Sequence, residues 1–132
     1  MVKQGFHIGD RDWWVMAYYD VKEANLDEVR EALLAGGCPR EKAEEACQNL
    51  RGWNTGYTFT NFGQHLSIML LGCSTSTEQM FDSIVHELKH LVEHVSSYYG
   101  LDPKEELAAY LQGEVGRQMF PAVALVLCPR CH

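Results

Sequence analysis

Hydrophobic and polar positions in the second half of the chain follow a helical spacing. Between residues 81 and 95, apolar side chains recur every three or four positions, as in a helix with one buried face. Just upstream, Thr75 stands three residues before Glu78, which is the arrangement of a capping box. The pattern predicts a helix that starts near Ser76 and ends at about Gly100.

The first half of the chain predicts one strand and two helices. Residues 13–21 are rich in aromatic and β-branched side chains, which favour a strand. Residues 26–34 and 39–50 have helical periodicity and flank a pair of glycines. Two such helices could form a DNA-binding helix-turn-helix, but the second is acidic and lacks a basic recognition face. We therefore expect a helical hairpin that covers a sheet.

A β-hairpin is predicted between these helices and the long helix. Residues 57–62 and 66–71 alternate or run apolar on either side of a short polar turn. Gly63 is expected to supply the positive φ that the turn needs. Four residues of the second strand are candidates for the core: Leu66, Ile68, Leu70 and Leu71.

The long predicted helix contains the motif HExxH, formed by His86, Glu87 and His90. Side chains four apart on a helix lie nearly above one another, about 6 Å apart along the axis. The two histidines can therefore hold one metal ion together, and Glu87 can accept a proton from water activated beside them. The alternative is that both histidines are solvent-facing residues that bind no metal.

A catalytic zinc ion usually takes three protein ligands, so a third is needed. His94 continues the series, but in an unbroken helix it lies about 12 Å along the axis from His86. One ion cannot bind both, and residues 91–93 contain no glycine that would break the helix. His94 is therefore better explained as a polar helix position or as a group that faces the substrate.

The residues that follow predict a second helix, with Asp102 as its N-cap, Pro103 in the first turn and Glu105 as the capping partner. If this helix returns antiparallel, its first turn lies beside the HExxH helix and offers Glu105 and Glu106 as ligands. The helical angles favour Glu106, which shares a face with Tyr110. Glu114 is a weaker option. An ordinary acidic first turn, stabilised by the helix dipole, needs no metal.

Composition is consistent with one domain and argues against several kinds of partner. The chain has 132 residues, of which 46% are hydrophobic, so it can bury a core. A formal net charge of −7 and scattered basic residues argue against a nucleic-acid-binding surface. Neither an export leader nor an apolar run of about 18 residues is visible, so we expect no membrane span and a cytoplasmic location.

The cysteines do not suggest a disulfide framework. The ending Cys128-Pro129-Arg130-Cys131-His132 has the haem-attachment spacing, but haem attachment requires export and a closed zinc site requires two further ligands. A tail with reactive thiols or a weak adventitious metal site is the preferred interpretation. Apolar residues 120–127 could instead pack and anchor the end. The five cysteines, all expected to be reduced, are Cys38, Cys47, Cys73, Cys128 and Cys131.

From Thr55 to about Gly113 the sequence resembles the small single-domain zinc peptidases of the zincin superfamily, of the gluzincin-like type found in phages and mobile elements. The resemblance is carried by an aromatic-rich hairpin at 56–61, a Ser/Thr-rich cap at 74–77, HExxH at 86–90, and the pattern Glu-x-x-Ala-Tyr at 106–110. It implies a minimal α+β zincin-like domain in which a short sheet packs against the HExxH helix and a following helix. It also implies that Glu106 completes a zinc site with His86 and His90, and that an edge strand pairs with an extended peptide substrate.

The expected function is thus zinc-dependent hydrolysis of a peptide bond in a peptide or protein substrate. Glu87 is expected to act as the general base, with Tyr110 as the group that stabilises the oxyanion and Tyr98, Tyr99 and His94 as alternatives. One rival is a zincin-fold binding or regulatory module with a structural or vestigial metal site. Another is a regulator that binds nucleic acid through the helical hairpin.

The expected organisation is a single zincin-like domain over residues 1–132 with four parts. Residues 1–54 supply a strand and the helical hairpin, and residues 55–74 supply the β-hairpin. Residues 75–120 supply the metal-site helices, and residues 121–132 form a C-terminal tail.

Overall fold

A mixed β-sheet forms the centre of the molecule in the computed structural model, which describes residues 1–9, 11–102 and 104–128. The sheet order is β1-β2-β4-β3, in which β2 and β4 are parallel and the outer pairs are antiparallel. The described residues form the strands β1 (Val2–His7), β2 (Trp14–Val21), β3 (Gly56–Asn61) and β4 (Leu66–Gly72) and the helices α1 (Leu26–Ala35), α2 (Arg40–Leu50), α3 (Thr77–Tyr99) and α4 (Glu106–Leu127).

Alternating side chains of the central strands serve two separate cores. On β2, Val15, Ala17 and Tyr19 belong to the core beneath α3 and α4. Tyr18 faces the other way and joins the core beneath α1 and α2, with Met16 packed against it. Because successive side chains of a strand point to opposite faces, one strand can fill both cores. The sheet is therefore sandwiched between two pairs of helices, which establishes the α+β class.

Most of the predicted elements are confirmed. The predicted strand at 13–21, the two helices after it and the β-hairpin correspond to β2, α1, α2 and the pair β3–β4. The helical hairpin covers one face of the sheet, with Val29, Leu33 and Ala43 fully buried there. Of the four predicted core positions in β4, Ile68, Leu70 and Leu71 are buried and Leu66 packs at the margin.

The turn between β3 and β4 differs from the prediction. The residue with positive φ is His65, at 50°, whereas Gly63 lies in a 3₁₀ turn without positive φ. The side chain of Asn61 caps this turn by accepting a hydrogen bond of 3.1 Å from the backbone N–H of Gln64. The turn is thus fixed by a side-chain cap followed by a left-handed residue rather than by glycine.

The start of α4 was also predicted wrongly. The carboxylate of Asp102 accepts a hydrogen bond of 2.9 Å from the backbone N–H of Lys104, so it closes a local turn instead of capping the helix. Glu105 occupies the N-cap, without a side-chain capping bond, and Glu106 is the first helical residue. Pro103, which was expected in the first turn, lies outside the described residues.

At its other end α4 continues past the predicted boundary of the tail. The helix runs through Pro121 to Leu127, so residues 121–127 are helical. An interior proline removes one backbone hydrogen bond, but Ala122 and Val126 are buried against the core on the same face as Met119. This packing offsets the loss. Residues 129–132 of the terminal cysteine motif lie outside the described part of the chain.

Two cysteines lie in the core as free thiols. Cys38 and Cys47 are buried and form no disulfide, and burial raises the pKa of both thiols. Both are therefore poor nucleophiles near neutral pH.

No helix within the described ranges is long and apolar enough to cross a lipid bilayer.

Candidate metal centre

Helix α3 carries the HExxH motif on an uninterrupted stretch of 23 residues. The helix starts where Ser76 accepts a hydrogen bond of 3.1 Å from the backbone N–H of Gln79, which confirms the predicted start near Ser76. The capping residues are thus Ser76 and Gln79 rather than Thr75 and Glu78. Gly100 ends the helix in the left-handed conformation, with φ at 69°.

The imidazoles of His86 and His90 point toward each other on the surface of α3. Their Nε2 atoms are 3.1 Å apart, and the ring centroids are 4.7 Å apart. Two Zn–N bonds of about 2.0–2.1 Å at a tetrahedral angle require a separation of about 3.3 Å. The separation of the two Nε2 atoms is therefore close to the one that a shared zinc ion requires.

Glu87 lies beside this pair but points into the protein. Its residue surface is only 5% exposed, and its Oε1 accepts a hydrogen bond of 2.8 Å from Thr58 Oγ1. Its Oε2 is 4.0 Å from His86 Nε2. The ligand atoms of His86, Glu87 and His90 all lie within 4.8 Å of one another, so one carboxylate oxygen is anchored while the other faces the histidines.

Strand β3 forms the wall of the site along α3. Thr58 and Thr60 face the helix and contact Glu87 and His94, respectively. At Gly56, an added Cβ would lie 2.8 Å from Glu87 Cγ and 3.0 Å from the carbonyl oxygen of Leu70. Glycine is therefore required for the close approach of strand and helix.

These wall residues were not identified from the sequence. A signal for them exists in the alternation along β3, where Gly56, Thr58 and Thr60 alternate with the larger Tyr57 and Phe59. Tyr57 and Phe59 pack at the margin of the core beneath α1 and α2, which leaves the small and hydroxyl-bearing face for α3. The pattern shows a two-sided strand, but which helix meets the polar face depends on tertiary packing.

His94 lies on the same side of α3 as the motif, within the cavity that adjoins it. This cavity has a volume of about 330 Å³ and is lined by Gly56, Tyr57, Thr58, His86, Glu87, His90 and His94. The Nδ1 atom of His94 is 2.8 Å from Thr60 Oγ1. Burial lowers the pKa of His94, and the neighbouring His90 lowers it further, while Glu93 acts in the opposite direction.

A second, more polar cavity lies next to the same residues. It has a volume of about 390 Å³ and is lined by Asn49, Asn54, Thr55, Gly56, Asp82, Ser83, His86 and Glu87. Because Gly56, His86 and Glu87 line both cavities, the motif stands between two open spaces. Chain segments on either side of a reacting bond could be accommodated there.

The structure does not bring the proposed third ligands into the cluster. Glu106 and Glu105 are exposed at the start of α4, and neither joins the group of close ligand atoms found among the described residues. The carboxylate of Glu114 lies against Gly9 instead, so close that a Cβ added to Gly9 would be 2.6 Å from Glu114 Oε1. His94 is also outside the group, consistent with its position two turns along an unbroken helix from His86.

The tyrosine candidates for oxyanion stabilisation lie outside both cavities described above. Tyr110 is 69% exposed on α4. The hydroxyl of Tyr98 is 2.7 Å from His65 Nε2, and the ring of Tyr99 lies 4.5 Å beneath the guanidinium of Arg11. Of the four sequence candidates, His94 is the one that lines a cavity shared with Glu87.

Comparison with known proteins adds no family to this geometry. The chain matches no protein-family model, no curated protein and no solved structure. The basis for function is therefore the site itself: two convergent imidazoles, a buried carboxylate and an adjoining strand.

Proposed function

We propose that this chain is a small zincin-like metallopeptidase that hydrolyses peptide bonds with a zinc ion held by His86 and His90. The observation that carries the proposal is the 3.1 Å approach of the two Nε2 atoms beside the buried carboxylate of Glu87. A zinc ion held there supplies a Lewis acid for the scissile carbonyl and for the attacking water.

Glu87 has the surroundings of a general base. Its Oε1 is fixed by Thr58 while Oε2 faces the histidines, so one oxygen is held in place and the other is available for a proton. Glu87 takes the proton from the attacking water and later delivers it to the leaving amine. Burial beneath β3 keeps bulk water away from this carboxylate and fixes its position for the reaction.

The position of β3 supports an extended peptide as the substrate. The strand is the last in the sheet order and pairs antiparallel with β4 on one side. An extended chain can add to the outer edge of such a strand through main-chain hydrogen bonds. Because Thr58 of this strand holds Glu87, a peptide bound there would pass directly beside the general base.

Glu106 is our proposed third ligand, as the resemblance to zincins implies. Helix α4 packs along α3, where a Cβ on Gly116 would lie 3.9 Å from Leu88. Glu106 opens this helix with an exposed side chain. Because the contact of Gly116 with Leu88 places the start of α4 about two turns of α3 beyond His90, Glu106 joins the two histidines only if the start of α4 shifts along α3.

A binding or regulatory module with a structural metal site is the second candidate. The observation that favours it is the incomplete ligand set, because Glu106 is not within the cluster of His86, Glu87 and His90 among the described residues. Such a module would keep the zincin-like shape and act through protein contacts instead of hydrolysis.

Replacing Glu87 separates these two functions. In an enzyme, Glu87→Gln should lower the rate of peptide hydrolysis by about 10²–10⁴-fold, as expected for loss of a general base, with zinc content unchanged. Cleavage of a mixture of unstructured peptides, followed by mass spectrometry, measures the rate. Glu31→Gln is the matched control, because Glu31 is an exposed carboxylate on α1, away from the motif; this variant should keep full activity. A zinc-loaded wild type that cleaves nothing would support the binding module instead.

A further inference from the structure

A chain of hydrogen bonds runs from the buried core to the cavity beside the motif. The indole Nε1 of Trp13 is 3.0 Å from Ser67 Oγ, which is 2.8 Å from Thr60 Oγ1. Thr60 Oγ1 is in turn 2.8 Å from Nδ1 of His94. Trp13 and Ser67 are fully buried, so this end of the chain is shielded from solvent.

The buried end of this hydrogen-bonded series determines which group donates and which accepts in each bond. An indole N–H can only donate, so Ser67 accepts from Trp13. The hydroxyl proton of Ser67 then goes to Thr60, because the buried hydroxyl needs an acceptor and Thr60 Oγ1 is its one other hydrogen-bond partner among the described residues. Thr60 in turn donates to His94 Nδ1. A neutral His94 therefore carries its proton on Nε2.

The ring of His94 is placed to use that proton in the cavity. Its Nδ1 is turned toward strand β3 by Thr60, and the ring lines the cavity that His86, Glu87 and His90 also line. Burial favours the neutral imidazole, since it lowers the pKa of His94. The cavity is thus lined by an imidazole that Thr60 fixes in orientation and whose neutral form carries its proton on Nε2.

Tyr98, another candidate donor, already gives its hydroxyl proton to a neighbouring histidine. Nδ1 of His65 is 2.8 Å from the carbonyl oxygen of Asp12 and must donate to it. His65 Nε2 then accepts, so the hydroxyl of Tyr98, at 2.7 Å, donates its proton to His65. Tyr98 is therefore not free to donate to a substrate, whereas His94 is.

We propose that His94 is a catalytic residue whose Nε2–H donates a hydrogen bond to the carbonyl oxygen of the scissile peptide as negative charge develops there. Thr60 is a positioning residue that holds the required tautomer. The proton stays on Nε2 throughout, so His94 stabilises charge and transfers no proton. This role rests on the proposed peptidase function, but the tautomer does not.

The tautomer can be measured without any activity. Nitrogen-15 spectra of the imidazoles in the zinc-loaded full chain at neutral pH should show the Nε2–H form for His94. Thr60→Val keeps the shape and favours a strand but removes the donor, so it should give a mixture of tautomers. Thr60→Ser should restore the Nε2–H form. A wild-type His94 with its proton on Nδ1 would overturn the inference.

Kinetics test the catalytic role. His94→Ala should lower kcat by about 10²–10³-fold, the usual cost of losing one oxyanion donor, with KM and zinc content nearly unchanged. Thr60→Val should lower kcat in the same direction and Thr60→Ser should restore it. His7→Ala, which removes an exposed imidazole on β1, is the control and should keep full activity.

The alternative outcomes are distinguishable. Unchanged kcat in His94→Ala and in Thr60→Val would overturn the role of His94 while leaving the peptidase proposal standing. Loss of zinc from His94→Ala would make His94 a ligand and also overturn it. A zinc-loaded wild type without hydrolysis would remove the peptidase proposal and this role with it, whatever the tautomer of His94.

Discussion

Thr58 donates a hydrogen bond of 2.8 Å from Oγ1 to Oε1 of Glu87, across the contact between strand β3 and helix α3. The bond joins a residue of the HExxH motif to a strand that lies 29 positions earlier in the chain. It fixes a carboxylate that is already confined. At Gly56 the backbone of the strand lies against the side chain of Glu87, so close that an added Cβ would be 2.8 Å from Glu87 Cγ. The proposed general base is therefore positioned by the strand as much as by its own helix.

Removing this hydrogen bond should impair catalysis without releasing zinc. A hydrogen bond to a charged group contributes about 1.5–3 kcal/mol, so we expect Thr58→Val to lower kcat by about tenfold or more. Thr58→Ser retains the hydroxyl and should recover most of the rate. Steady-state kinetics on one peptide substrate, with zinc content determined on the same samples, provide the measurement. Equal rates for the valine and serine variants would show that the bond has no catalytic role.

A methyl group at Gly56 should disturb both the site and the stability of the fold. Because the new Cβ would approach Glu87 Cγ to 2.8 Å and a backbone oxygen to 3.0 Å, we expect Gly56→Ala to lower the free energy of unfolding by about 1–3 kcal/mol. Gly113→Ala in α4 is the matched control, since nothing lies within 4 Å of its added Cβ. That variant should gain up to about 1 kcal/mol from the higher helix propensity of alanine. Urea unfolding of both variants measures these changes in the free energy of unfolding. A Gly56→Ala variant as stable as wild type would contradict the expectation.

The two acidic residues at the start of α4 should respond differently to substitution. If Glu106 completes the ligand set, Glu106→Ala should weaken zinc binding by about tenfold or more, whereas Glu105→Ala should leave it nearly unchanged. Competition with a fluorescent zinc chelator measures both affinities. Equal affinity in Glu106→Ala and wild type would exclude Glu106 as a ligand and leave the third position to another group or to solvent.

Elements with a strong local pattern could be predicted from the sequence, and those held by distant pairing could not. Helix α3 was predictable because its apolar spacing and its cap at Ser76 are contained within one segment. Strand β1 was missed because Phe6 is its one buried position, so it lacks the alternating apolar pattern. It is held instead by its backbone pairing with β2. The parallel contact between β2 and β4 is likewise non-local.

The candidate site likewise combines features that the sequence predicts locally with features that depend on tertiary packing. The spacing of His86 and His90 is a property of one helix, so the convergence of their rings could be expected from four residues of separation. The contacts of Thr58 and Thr60 with α3 depend on which face of β3 meets that helix, and this is set by the packing of the whole sheet. The start of α4 was missed because Asp102 has two local hydrogen-bonding choices, and the turn with Lys104 is the one it adopts.

The central claim, that His86 and His90 share one zinc ion, can be tested by measuring zinc bound per chain after dialysis against trace zinc. Wild type and Glu87→Gln should each retain about one zinc ion per chain, because we propose Glu87 as a base and not as a required ligand. His86→Ala and His90→Ala should each lose it, while His7→Ala should retain it. Zinc retained at the wild-type level by both His86→Ala and His90→Ala would contradict the claim.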